Sequence, residues 1–207
     1  MSRPPLEVAD VVRPHGDTSL ARYGSTLSGE QHRALRAMAL CRTAALGGHI
    51  PQCDSWGHEL QAYNSCRHRS CPKCHGTAQA AWRAAREREM LETPYIHVIF
   101  TLPPALGPLA LQNPRPLYGL LFRTVAQTLQ DIAGDPKHLG AAIGGFAVLH
   151  TGGQQLHQHP HLHCVLPAGG LAPDGTQWLP CRSHFFLPVR VLSRRFRRLS
   201  LEGLAHI

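Results

Sequence analysis

The segment Cys66-Arg67-His68-Arg69-Ser70-Cys71-Pro72-Lys73-Cys74 constrains this chain more than any other. Two thiols separated by two residues, with a proline inside the turn, converge on one point, which suits tetrahedral zinc. Cys53 lies 18 residues before Cys71, a common distance between the halves of a zinc ribbon. That pattern wants a further ligand at position 56, where Trp56 stands as a lost ligand. The expected zinc set is therefore Cys53, Cys71 and Cys74 with Cys66 or His49, and His58, His68 and His75 are also near. Four cysteines within 22 residues, interleaved with Arg and Lys, argue against plain buried thiols. A redox pair would need a strand–helix context that nothing upstream supplies. With no apolar secretory core after Met1-Ser2-Arg3-Pro4-Pro5, the seven cysteines read as ligands or core residues, and the chain as cytoplasmic. No apolar run of about 18 residues exists, so a membrane partner is not expected.

Around this segment the chain alternates between helix and strand signals. Residues 1–34 read as an arm, rich in Pro and Gly and poorly anchored, with a helix starting at Ser28, where Gln31 completes a capping box. Leu35, Met38, Ala39 and Ala45 continue a helical stripe until Gly47-Gly48. Residues 49–75 have no periodicity, and Thr77 to about Leu91 is an Ala, Arg and Glu helix. Strands are expected at Tyr95–Leu102, Phe146–Thr151 and Leu162–Leu166, and helices at Leu117–Ile132 and Val189–Leu201. That order implies an α+β fold, an antiparallel sheet with helices on one face. The division is an arm at 1–34, a small zinc-binding module at 35–92, and a second domain at 93–207.

The run His157-Gln158-His159-Pro160-His161-Leu162-His163 is the other informative segment. Side chains two apart on a strand share a face, so His161 and His163 project together while Leu162 turns into the core. Two imidazoles held so form half of a divalent-cation site. His157 and His159, before Pro160, are assigned to a loop.

Phe100-Thr101-Leu102-Pro103 and His161-Leu162-His163 resemble the first two motifs of His-hydrophobic-His (HUH) single-strand endonucleases. The wider text is similar to the two-tyrosine rolling-circle insertion-sequence transposases, with their N-terminal zinc-binding domain. The similar stretches are residues 41–49, 63–74, 94–103, 149–165 and 185–199, in family order. The resemblance implies that residues 93–207 form an HUH palm and that His161 and His163 hold Mg²⁺ or Mn²⁺ with one further polar side chain. Gln154 is the choice for that third ligand, because related nucleases place Glu or Gln about there; Gln155 and His159 compete, and His97 ranks below them. It also implies a nucleophilic tyrosine, one of two spaced i and i+4 on a downstream helix. Tyr23, Tyr63, Tyr95 and Tyr118 all precede the HUH strand, so the expectation is a truncated copy, incomplete at the C-terminus and lacking its nucleophile.

Lys plus Arg number 21 against 13 acidic residues, a net charge of +8, which suits a polyanionic partner. Arg67, Arg69 and Lys73 surround the cysteine knuckle; Arg190, Arg194, Arg195, Arg197 and Arg198 crowd a helix with no acid between 189 and 199. All eight are assigned to DNA contact, with single strands preferred and no small-molecule substrate. One rival is a non-catalytic zinc-dependent DNA-binding protein. The other is a zinc hydrolase, for which Asp174, in a Gly-rich loop, is the nearest downstream base.

Overall fold

The computed structural model describes residues 6–152, 157–182 and 186–207 and divides into two units, Met1–Met90 and Leu91–Ile207. In the first unit, Val8–Tyr23 forms helix α1, where a loose arm is expected from the sequence. The reason is a capping box at Glu7, in which Asp10 accepts from the Glu7 N–H at 3.0 Å. Arg13 then anchors the helix, donating to the carbonyls of Ala39 at 3.0 Å and Cys41 at 3.3 Å.

Helix α2, Gly29–Leu40, starts on the expected box: Ser28 accepts from the Gln31 N–H, and Gln31 accepts from the Ser28 N–H. It stops at Leu40, well short of Gly47, because Cys41 is extended and Arg42 adopts φ +56°. The Thr43 hydroxyl caps the open carbonyl of Leu40 at 2.8 Å. A two-residue ladder follows, β1 (Gly48–His49) against β2 (Ala62–Tyr63), with Gly48 opposite Tyr63. A Cβ at Gly48 would lie 2.6 Å from the Ala62 carbonyl, so only glycine fits this pairing. Helix α3, Pro72–Arg88, begins inside the cysteine knuckle, with Pro72 in the first turn where a missing N–H costs nothing.

In the second unit the order is β3 (Tyr95–Thr101), α4 (Gly107–Gln112), α5 (Pro114–Gly134), β4 (Phe146–Gly152), β5 (Gln158–Pro167), β6 (Gly169–Leu171), β7 (Trp178–Pro180) and α6 (Val189–Leu204). Strand β5 is central in a three-stranded antiparallel sheet of order β3-β5-β4. The fold is α+β. Along β5, Leu162, Cys164 and Leu166 are buried while His161, His163 and Val165 are half-buried. The buried set packs with Phe100 of β3, Leu117, Leu121, Val125 and Leu129 of α5, and Leu192 of α6. The helices therefore cover one face of the sheet, and period-two alternation sends the histidines to the other.

Strand β5 starts earlier than the sequence suggests and takes in His159 and Pro160. The register slips between His150 and Gly152, and Pro160 sits at that irregularity, where its missing N–H breaks no ladder bond. No helix among the described residues is long and apolar enough to cross a membrane.

Candidate metal centres

The register builds the first centre. His161 pairs with His150 on one side and Thr101 on the other, and His163 pairs with Val148 and Ile99. Paired residues point the same way, so His150 joins His161 and His163 on the open face. The ligating nitrogens of these three imidazoles all lie within 4.8 Å of one another. His161 donates from Nδ1 to the His159 carbonyl at 2.7 Å, which leaves Nε2 with its lone pair and fixes the ring. His97 Nε2 lies 2.8 Å from His163 Nδ1, with the two rings stacked 4.9 Å apart. Burial, and then the neighbouring His150, His161 and His97, hold the His163 pKa below its ordinary 6.5.

Of the residues expected here, His161 and His163 are brought together, and Gln154 and Gln155 lie outside the described residues. His159 contributes its backbone carbonyl, and His97 a bond to His163. His150 is not foreseeable from the sequence alone. It follows the apolar run of β4 as a lone histidine, and only the pairing with His161 shows where it points.

The second centre is made of Cys41, Cys66, Cys71 and Cys74, whose sulfurs lie within 4.8 Å of one another. Cys74 Sγ is 3.7 Å from Cys41 Sγ and 3.6 Å from Cys66 Sγ. A tetrahedron with zinc–sulfur bonds of about 2.3 Å has edges of about 3.8 Å, so the spacing fits zinc. Burial pushes the Cys66 thiol up to about 12 and raises Cys41. Burial also raises Cys74, but hydrogen bonds offered by Cys66, Cys41, the Arg67 N–H and Cys71 outweigh it and bring this thiol down to about 7. Among the described residues, Arg42 and Arg67 are the non-glycine residues with positive φ, and each directly follows a cluster cysteine. Backbone held in that sparsely used region is a mark of a functional turn.

The expected ligand set is corrected accordingly. Cys53 is exposed at the tip of the loop between β1 and β2, its N–H bonded to the His58 carbonyl, and it is replaced in the cluster by Cys41. His49 is held in β1, and Trp56 is 86% exposed beside Cys53, so position 56 is not a lost ligand. The ribbon spacing from Cys53 misleads because the loop that closes the cluster runs from Cys41 to Cys66. Arg42 donates to the Asn64 carbonyl and Asn64 to that of Gly47, which ties the two ends together. Cys41-Arg42 repeats the pair Cys66-Arg67, but Cys181-Arg182 repeats it as well, so the pair alone does not single out Cys41.

The basic residues divide. Arg195 binds Asp131 of α5 through Nε at 2.8 Å and Nη2 at 2.5 Å, Arg198 binds Glu202, Arg69 binds Glu30, and Lys73 binds Glu7 at 2.5 Å. Arg67 carries the strained turn at the cluster. Arg190, Arg194 and Arg197 are exposed on α6, across the sheet from the histidines. Asp174 caps the β6–β7 turn, where the N–H and then the hydroxyl of Thr176 hold its carboxyl below the usual range, so it is not offered to either centre as a base.

Comparison with known proteins agrees with the thiol centre. A family model described as a transposase zinc-binding domain matches residues 11–102, and one described as "Putative transposase" matches residues 144–207. "Putative transposase y4qJ" of Sinorhizobium fredii is 58% identical over 204 residues, 99% of this chain and 51% of that protein. The "Transposase for insertion sequence element IS801" of Pseudomonas savastanoi pv. phaseolicola is 37% identical over 140 residues, 67% of this chain and 33% of that protein. Among solved structures, the conjugative relaxase TrwC in its metal-bound complex with oriT DNA gives a TM-score of 0.42 at 16% identity, over 53% of this chain and 42% of that one. A thiol-lined module followed by a histidine-faced antiparallel sheet is thus the class of protein to which transposase models match. The chain belongs to the insertion-sequence transposases, and its first unit is a zinc-binding module. It spans about half the length of the first relative and a third of the second.

Proposed function

We propose that this chain, in the cytoplasm, engages a single DNA strand and sets one phosphate against a divalent cation held by His150, His161 and His163. The observation that carries this reading is the convergence of three imidazoles on the open face of the central strand. A cation bound there supplies positive charge to the phosphate oxygens. The donor set favours Mn²⁺ over Mg²⁺, because Mg²⁺ prefers oxygen ligands and water. The His159 carbonyl keeps His161 Nε2 unprotonated, and His97 fixes the ring of His163. Cys41, Cys66, Cys71 and Cys74 hold structural zinc, which knits the end of α2, the segment after β2 and the start of α3 into one module. Arg190, Arg194 and Arg197 contact phosphates.

The tyrosines of this second unit are engaged elsewhere. The Tyr118 hydroxyl accepts from Gln158 at 2.8 Å, and the Tyr95 hydroxyl accepts from the Leu91 N–H at 2.8 Å. That favours, as a second reading, a chain that binds metal and DNA without forming a covalent link to it. The test of the main reading is fluorescence anisotropy with a labelled single strand and its duplex in the presence of Mn²⁺. Tighter binding of the single strand is expected; equal or weaker binding of it would overturn the reading.

A further inference from the structure

Beside the edge strand β3 the second unit carries a groove in two connected parts. One part, of about 620 Å³, is bounded by Tyr95, His97, Arg182 and Phe186. The other, of about 450 Å³, is bounded by Lys137, His138, Arg182 and Phe186. Pro180, Cys181, Arg182 and Phe186 line both, so the two parts form one path. Arg182 and Lys137 are exposed, His138 is half-buried, and no acidic side chain lines either part among the described residues. At its open end the path reaches His97, whose Nε2 is 2.8 Å from His163 Nδ1 of the histidine centre. A cationic groove with aromatic walls is the chemistry that takes a single nucleic-acid strand, charge for the phosphates and ring faces for the bases.

We propose that this groove is a single-strand DNA subsite, running from the histidine centre past His97 to Arg182 and then to Lys137 and His138. Arg182, common to both parts, contacts the phosphate between two bound nucleotides, and Lys137 the next. Tyr95 and Phe186 present ring surface to the bases. The inference rests on the single-strand reading above and adds where the strand leaves the metal centre. The groove meets α6 only at its start, through Pro188 and Val191, and neither Arg194 nor Arg197 lines it, which gives each surface its own test.

The experiment compares the full chain with R182Q/K137Q and R182K/K137R for binding a labelled oligothymidylate across a salt series. The Gln variant should bind about tenfold more weakly, with the log–log salt slope reduced by about 1.4, since each phosphate neutralised on a single strand contributes about 0.7. The charge-preserving variant should keep the slope. If the parent chain binds and the Gln variant matches it in affinity and slope, the groove is overturned while the proposed function stands. If the parent chain binds no single strand, both fall. Photo-crosslinking of the parent chain to a 4-thiothymidine strand covers the case of a variant that does not fold. Adducts in peptides spanning 94–97 or 180–191 are expected, and adducts confined to residues 193–204 would overturn the inference.

Discussion

Cys41 and Cys74 stand 33 positions apart, yet their sulfurs lie 3.7 Å from each other. Cys41 ends one helix and Cys74 sits in the first turn of another, so a metal between them fixes the first unit. Purified chain should carry about one zinc per molecule, and C41S should lose it while C53S keeps it, as expected for a site that needs all four thiolates. Metal analysis of the three proteins checks this. Zinc retained by C41S and lost by C53S would restore the ribbon assignment.

Loading that cluster should release protons. Cys66 is pushed up to about 12 and Cys41 is raised, so both are thiols at neutral pH and must deprotonate to bind. Zinc affinity should therefore rise with pH, and an indicator dye in weak buffer should report at least about two protons per zinc. Loading without acidification would contradict the assigned ligands.

The two faces of the central strand should respond differently to truncation. Leu162 is fully buried, so Leu162→Ala should cost about 2–5 kcal/mol. His161→Ala, on the open face, should change stability by about 0.5 kcal/mol or less without metal. Urea unfolding of the metal-free variants measures both, and similar losses would mean that the histidine face is covered.

Arg195 and Arg197 sit on one helix with different duties. Arg195→Ala should lower stability by about 1 kcal/mol, discounted for an ion pair that is still about 30% exposed, and thermal melting reads it. R190A/R194A/R197A should melt as the parent does but show a flatter salt dependence of DNA binding, by about 0.7 for each single-strand phosphate that the variant no longer neutralises. An unchanged slope would assign these arginines to solvation alone.

These contrasts also show what the sequence could convey. The alternation His161-Leu162-His163 needs only the period of a strand, and the capping box at Ser28 needs only three neighbouring positions; both are legible. Cys41 and His150 are not, because each enters its centre through pairing between distant segments. Cys41 depends on the ladder that closes residues 41–66, and His150 on the register that sets it opposite His161. The same holds for Arg195, whose partner Asp131 is 64 residues away and outside the acid-free stretch that suggests a free basic face. Helix α1 is hard to see in the sequence because a short capping box and one arginine outweigh the interruptions at Pro14 and Gly16.

Covalent chemistry gives a further expectation. Incubation with a labelled single strand and Mn²⁺ should leave no protein–DNA adduct on a denaturing gel, since Tyr95 and Tyr118 direct their hydroxyls to other partners. An adduct that survives boiling would mean that one of this chain's tyrosines reaches the bound phosphate.

The histidine centre is tested most directly by Mn²⁺ titration, followed by electron paramagnetic resonance, of the full chain and its H150A and Q154A variants. Burial and the neighbouring histidines hold His163 below its ordinary pKa of 6.5, so this imidazole is neutral at pH 7, and its own protonation competes with the metal only at lower pH. At neutral pH H150A should lose Mn²⁺ affinity by about tenfold or more, as expected on removing one of three ligands, while Q154A stays close to the parent. Binding by H150A equal to the parent's, with the weakening falling on Q154A instead, would contradict the three-histidine centre.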